Sequence, residues 1–168
     1  SDAKRYLRKN PIIRLPKRYA QIEYNGRLDE GLLDDKITGT DLNHAYWRIA
    51  LNLKIISEKT YEKGLDNRFK SVRLAALSTL GANKAYLKIR HGEITKEVHL
   101  IKGDELLRKV YSLIRLTCYK YMAEIKKMLG NDFLAYKTDC IYYCDTKENR
   151  SLVRNFFREK DLQMKQLV

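Results

Sequence analysis

Apolar residues alternate along some stretches of the chain and recur every three or four positions along others, and these two periods divide it into strands and helices. Residues 19–24 read as a short strand that meets Asn25-Gly26, the strongest short hairpin signal a sequence offers. Residues 36–42 read as another strand. Ala45, Tyr46, Ile49, Ala50 and Leu53 follow at helical spacing behind Asn43 as a cap. Residues 57–64 predict a short helix ended by Gly64, although the glutamate of a capping box falls one residue late. In 67–80, Phe69, Val72, Ala76, Leu77 and Leu80 recur at three and four with Arg73 in the same register, and Gly81 closes the helix. Residues 85–89 and 94–101 alternate around His91-Gly92 as a second hairpin. The longest helix spans 104–129, capped by Asp104 and stopped by Gly130. Its stripe of Leu107, Val110, Ile114, Cys118, Tyr121, Ile125 and Met128 makes it the spine of the core. A strand at 133–136, a tight polar step at Lys137-Thr138-Asp139, a strand at 141–144, a helix at 148–159 and a last strand at 162–167 complete an α+β pattern. No repeat, low-complexity tract or linker interrupts it, so residues 1–168 form a single domain.

Charge adds a partner class. The 168 residues carry 34 Lys+Arg against 21 Asp+Glu, a formal net charge of +13, with 44% hydrophobic residues. That hydrophobic share excludes a disordered tail, and the charge predicts attraction to a polyanion, nucleic acid first and an anionic membrane surface second. No apolar run approaches the roughly 20 residues of a membrane span, and the first residues lack the apolar centre of a secretion signal. Cys118, Cys140 and Cys144 are an odd set without spacing, which fits reduced thiols in a cytoplasm, that of a bacterium or an infected cell. Neither a disulfide framework nor zinc is indicated, and His44, His91 and His99 have no metal-ligand spacing. Residues 1–18 hold Arg5, Arg8 and Lys9 among other cations, together with Pro11 and Pro16, and read as an extended basic arm for nucleic acid, or else as a solvated terminus. Arg68 and Lys70 add cations on the 66–82 helix. Most of the twelve tyrosines are expected to fill the core with their hydroxyls at its edge.

Two aspartates stand where apolar strands meet a turn or a helix: Asp41 and Asp139. Each alone reads as a helix cap or a turn residue. Together they suit a site in which two carboxylates hold Mg²⁺ while cationic side chains hold phosphate.

The spacing around them resembles family B DNA polymerases. Asp41-Leu42-Asn43-His44-Ala45-Tyr46 is similar to the first signature of that family, D-x-x-S-L-Y. The run Arg73 to Gly81 resembles the second, K-x-x-x-N-S-x-Y-G, with Arg for Lys and with Ser78 and Gly81 in register. Tyr136-Lys137-Thr138-Asp139-Cys140-Ile141-Tyr142 resembles the third, Y-x-D-T-D-S. The three occur in the family's order and the resemblance covers 38–143. Leu77 and Leu80 stand where the second signature has Asn and Tyr. Lys137 stands where the third has its first Asp, and His44 and Trp47 replace a serine and a proline.

The resemblance implies a palm-like βαββαβ sheet of the ferredoxin or RRM kind, antiparallel, with helices on one face and a short helical finger inserted. Its first palm signature would lie at 36–56, the finger helix at 66–82, and the second palm signature with the final helix and strand at 104–168. It implies a DNA polymerase, a Mg²⁺-dependent nucleotidyltransferase of DNA replication in a virus or mobile element. Asp41 and Asp139 would ligate Mg²⁺ or Mn²⁺, Tyr46 would pack under the sugar of a deoxynucleoside triphosphate, Arg73 would hold its phosphates, and Ser78 would lie beside them. DNA, or RNA, would be the polynucleotide, bound by Arg5, Arg8, Lys9, Arg68, Lys70 and Lys137. A partner protein or a further chain segment would supply the thumb. Two other functions share the charge: a non-catalytic nucleic-acid-binding module, favoured by the cation Lys137, and a two-metal nuclease, which needs no Tyr46 and Arg73.

Overall fold

The computed structural model describes residues 1–26 and 36–165. In chain order its elements are α1 (Asp2–Lys9), β1 (Ile22–Tyr24), β2 (Ile37–Asp41), α2 (Ala45–Asn52), α3 (Glu58–Leu65), α4 (Lys70–Ser78), β3 (Lys84–Arg90), β4 (Glu93–Ile101), α5 (Glu105–Leu129), β5 (Phe133–Lys137), β6 (Cys140–Cys144) and α6 (Lys147–Glu159). The fold is α+β, with a four-stranded antiparallel sheet in the order β1-β5-β6-β2 and a separate two-stranded ribbon, β3-β4.

Asp104 starts α5 by accepting from the N–H groups of Leu106 and Leu107 at 2.8 and 3.2 Å, and Gly130 ends it at φ +57°. The buried side of α5 is Val110, Ile114, Cys118, Met122, Ile125 and Leu129, whereas Met128 is exposed. The expected stripe ending in Met128 keeps a period near 3.5, and a straight helix drifts about 20° per heptad against that period, so the inward face has moved to Met122 and Leu129 by the last turns. Against this face pack Tyr136, Ile141 and Tyr143 of the sheet and Val153 and Phe157 of α6.

β2 and β5 are both antiparallel to β6, which lies between them, so they run parallel to each other and are joined by the long crossover of α2 to α5. The expected last strand at 162–167 reduces to one bridge, Leu42 to Met164. It is flanked by Asn43 N–H to the Gln163 carbonyl (2.7 Å) and Lys165 N–H to the Asp41 carbonyl (2.8 Å), and its final two residues lie outside the described ones. Alternation turns Gly39, Tyr142 and Tyr24 to the face opposite the core, where Tyr24 and Tyr142 are exposed.

Several local expectations are corrected. The first half of the arm is helical, not extended: Ser1 caps α1, Asp2 sits in its first turn, and Arg8 and Lys9 in its last, which complements the helix dipole, while both prolines fall after it. β1 pairs with β5, and Asn25 bonds across to that strand through its own N–H to the Leu134 carbonyl and its side chain to the Phe133 carbonyl, both at 2.7 Å; the second arm of the expected Asn25-Gly26 hairpin, from 27 on, lies outside the described residues. His44, at φ +52° and without a side-chain cap, precedes α2 in place of Asn43. Gly64 does not stop α3. It is buried under the Trp47 ring, where an added Cβ would lie 2.5 Å from a ring carbon. The 67–80 helix divides into a 3-10 turn at Asn67–Phe69 and then α4.

The late glutamate of the α3 capping box has a substitute from far away. Asp2 of α1 accepts from the Ser57 N–H (3.0 Å), the Ser57 hydroxyl (3.1 Å) and the Thr60 hydroxyl (2.5 Å), so a carboxylate 55 residues upstream satisfies the N–H of the cap residue itself. No helix among the described residues is long and apolar enough to cross a membrane.

Candidate functional site

Asp41 is the last residue of β2, paired with Cys140 at the start of β6. Asp139 stands one residue earlier, at the tip of the β5–β6 hairpin closed by the Lys137–Cys140 pair, and its carbonyl accepts from Leu42 N–H at 2.9 Å. The fold therefore brings together two carboxylates that are far apart in sequence. Burial holds the Asp139 carboxyl above the usual range, and the neighbouring negative charge of Asp41 adds to the effect.

The turn that presents Asp139 is strained. Thr138 has φ +56°, an outlier for a β-branched residue. Three contacts hold it there: its N–H donates to the Gln21 carbonyl (2.8 Å), its hydroxyl accepts from Gln21 Nε2 (3.0 Å), and the Cys118 thiol of α5 donates to its carbonyl (3.5 Å). Stored backbone strain of this kind concentrates at functional sites.

Beside Asp139 opens a cavity of about 150 Å³ whose wall includes His44, Tyr46, Arg73, Ser78, Tyr111 and Thr138. It has room for a sugar or a base, and ligand pockets for whole drug-sized molecules start at roughly 300 Å³. Tyr46 is fixed within it. Its hydroxyl bonds the Tyr119 hydroxyl at 2.5 Å, its ring meets Tyr111 and Tyr119 edge-on, and burial pushes the phenol far above its usual range. Arg73 is buried and donates one arm to the Gly64 carbonyl, which ties the α4 cation to the end of α3. Ser78 is exposed at the cavity rim and bonds the Ala75 carbonyl at 3.0 Å. Burial lowers the His44 pKa, and the positive charges of Arg73, Lys165 and Lys70 lower it further, so three cations surround this corner.

Other sequence-derived cations stand elsewhere. Arg68 is spent on Asp66 at 2.7 Å and Arg5 on Asp2 at 2.6 Å, both at the surface. Arg8 and Lys9 are exposed at the end of α1 and do not line the cavity. Lys137 is exposed at the end of β5, two residues before Asp139.

The cation that meets a carboxylate of the site is Lys165. Its Nζ lies 2.5 Å from Asp41 Oδ2, and the contact raises the Lys165 pKa. It lies within the expected last strand at 162–167, and the Leu42–Met164 bridge brings it beside Asp41. Tyr119 of α5, in the interleaved run Tyr119-Lys120-Tyr121, fixes Tyr46 through its hydroxyl. Among the described residues no group of three or more His, Cys, Asp or Glu gathers as a metal cage. Comparison with protein-family models, curated proteins and solved structures finds no match to this chain.

Proposed function

We propose that the chain is a palm-like nucleotidyltransferase core, resembling a minimal family B DNA polymerase, that extends a primed nucleic acid. The observation that carries this reading is convergence: Tyr46, Arg73, Ser78 and Asp139, taken from three separate stretches of sequence, line one cavity beside Asp41. The parallel pair β2 and β5 separated by antiparallel β6 also suits the palm arrangement.

Asp41 and Asp139 fit Mg²⁺ as hard oxygen donors, since that ion is commonly held by one or two carboxylates plus substrate phosphates and keeps several waters. Their mutual repulsion, visible in the raised Asp139 carboxyl, is what a divalent cation would relieve. When bound, the metal would supply charge stabilisation at the transferring phosphoryl group. The protein's own side chains do the positioning. Tyr46, immobilised by Tyr119, offers its ring to a sugar, and the half-buried phenol leaves little space for a 2′-hydroxyl. Arg73, Lys70 and Lys165 supply positive potential for a triphosphate, with Arg73 limited to the donors that Gly64 leaves over.

The non-catalytic reading is favoured by one observation, the Lys165–Asp41 ion pair, in which an ammonium takes the place of a metal on that carboxylate. Primer extension with Mg²⁺ or Mn²⁺ and deoxynucleoside triphosphates separates the two. Extension by the native chain, lost in Asp41→Asn and in Asp139→Asn with DNA binding retained, is the expected result. Tight binding of primed DNA without any extension in either metal would leave the binding module.

A further inference from the structure

Three arginines of α6, Arg150, Arg154 and Arg158, line a second groove of about 690 Å³, together with Thr38 and Thr40 of β2 and Lys165. We infer that this groove binds the phosphate backbone of a single nucleic-acid strand and leads it to the Asp41 end of β2. The inference concerns binding alone, goes beyond the proposed transferase, and stands or falls separately from it.

The spacing makes the argument. Residues four apart on a helix lie on one face and advance about 6 Å along its axis, so the three guanidinium groups form a row with a regular repeat. A polyanion with one charge per repeating unit matches a row of this kind, whereas a small anion would engage one member of it. The guanidinium fork is also the side chain best shaped to take two phosphate oxygens at once. Arg150 is held by Asp145, but Arg154 and Arg158 are exposed and make no ion pair among the described residues, which leaves two cations available.

The rest of the wall suits backbone contact and no base reading. Tyr143 is buried and its hydroxyl bonds Thr40 Oγ1 at 2.8 Å, so it presents no ring for stacking. The positive charges of Arg150 and Arg154 reach that phenol, which places them over this part of the sheet. Thr38 and Thr40 add hydroxyls, groups that contact phosphate and sugar without sequence preference. Lys165, also on the groove wall, is bonded to Asp41, so the groove adjoins a site carboxylate.

The test uses the full chain and a fluorescein-labelled twenty-nucleotide oligothymidylate, followed by anisotropy across a salt series. Arg154→Glu with Arg158→Glu is expected to weaken binding at least tenfold near 0.1 M salt. Two lost phosphate contacts should also flatten the slope of log affinity against log salt by about 1.4. Lys59→Glu with Lys127→Glu, two exposed lysines outside the groove, makes the same change in net charge and is expected to cost much less. Arg154→Gln with Arg158→Gln gives a milder variant that keeps the measurement available if the glutamates disturb α6, and it should retain the loss in part. Equal losses in the groove and control variants would overturn the inference in favour of net charge alone. An unchanged oligonucleotide affinity would overturn it as well, as would a loss confined to binding of anionic phosphatidylglycerol vesicles. A transferase that fails in primer extension while the groove variants behave as expected would leave this inference standing.

Discussion

Lys165 grips Asp41 at both ends, its ammonium on the carboxylate at 2.5 Å and its backbone N–H on the carbonyl at 2.8 Å. The pair is partly exposed, with 53% of the lysine side chain and 26% of the aspartate accessible, so its strength is modest and falls with salt. A metal bound at Asp41 competes with this ammonium.

Replacing the charge tests that competition. Lys165→Met is expected to raise Mn²⁺ affinity, measured by calorimetric titration, by up to about fivefold, the scale of a surface ion pair worth up to about 1 kcal/mol. Because the backbone bridge to Asp41 survives the substitution, the strand should stay in place. A fall in affinity would show that Lys165 supports the metal site and does not occupy it.

The turn at Thr138 offers a trade between stability and site geometry. Thr138→Gly removes the cost of a left-handed β-branched residue, about 1 to 2 kcal/mol, and forfeits the hydroxyl bond to Gln21, worth about 1 kcal/mol. The expected net change is therefore a small gain, read as a Tm equal to or slightly above that of the native chain. A large loss of Tm would mean that the Gln21 contact, and not the strain, governs the turn.

Gly64 is sensitive for a different reason. A Cβ there meets the Trp47 ring at 2.5 Å, and Trp47 is itself fixed by donating Nε1–H to the Tyr61 carbonyl at 3.0 Å. Gly64→Ala is expected to cost about 1 to 3 kcal/mol by overpacking, lowering Tm by roughly 2 to 4 °C for each kcal/mol. The Arg73 contact to the Gly64 carbonyl should be disturbed with it.

Asp2 gives the pH dependence. The Ser57 backbone N–H, followed by the Thr60 hydroxyl, holds its carboxyl below the usual carboxylate range. A carboxyl lowered in the fold binds fewer protons there than in the unfolded chain. Its contribution is therefore complete above the ordinary carboxylate range and is lost as the pH falls through the lowered value. Asp2→Ala should cost about 1 kcal/mol in urea denaturation near neutral pH, as for loss of a helix cap, and the gap to the native chain should narrow in acid. A gap that stays constant into acid would remove the carboxylate from the explanation.

What the sequence makes legible is what adjacent residues decide. His91-Gly92, with φ +52° and +84°, turns the β3–β4 ribbon as its dipeptide suggests, and Asp104 and Gly130 bound α5 where they stand. Local signals cannot say which distant strand a short strand takes, and β1 finds its partner in β5, more than a hundred residues on. The prolines near the N-terminus suggested an extended arm, yet Pro11 and Pro16 both lie beyond the last residue of α1 and so leave that helix free to form. At the site, Asp41, Tyr46, Arg73, Ser78 and Asp139 were visible as signatures. The contacts of Lys165 to Asp41 and of Tyr119 to Tyr46 are not legible in this way, because no spacing along the chain encodes whom a side chain touches. The α6 arginines recur every four residues along the chain, but only the fold shows that they stand over β2.

The Lys165–Asp41 contact spans 124 residues, which bears on synthesis. A growing chain at about 5 to 20 residues per second releases Asp41 roughly 6 to 25 s before its lysine. During that interval the β2 edge has neither its bridge at Met164 nor a counter-charge at its end. The sheet can close from β5 and β6 beforehand, but the carboxylate corner is finished only when the stretch around Lys165 has left the ribosome.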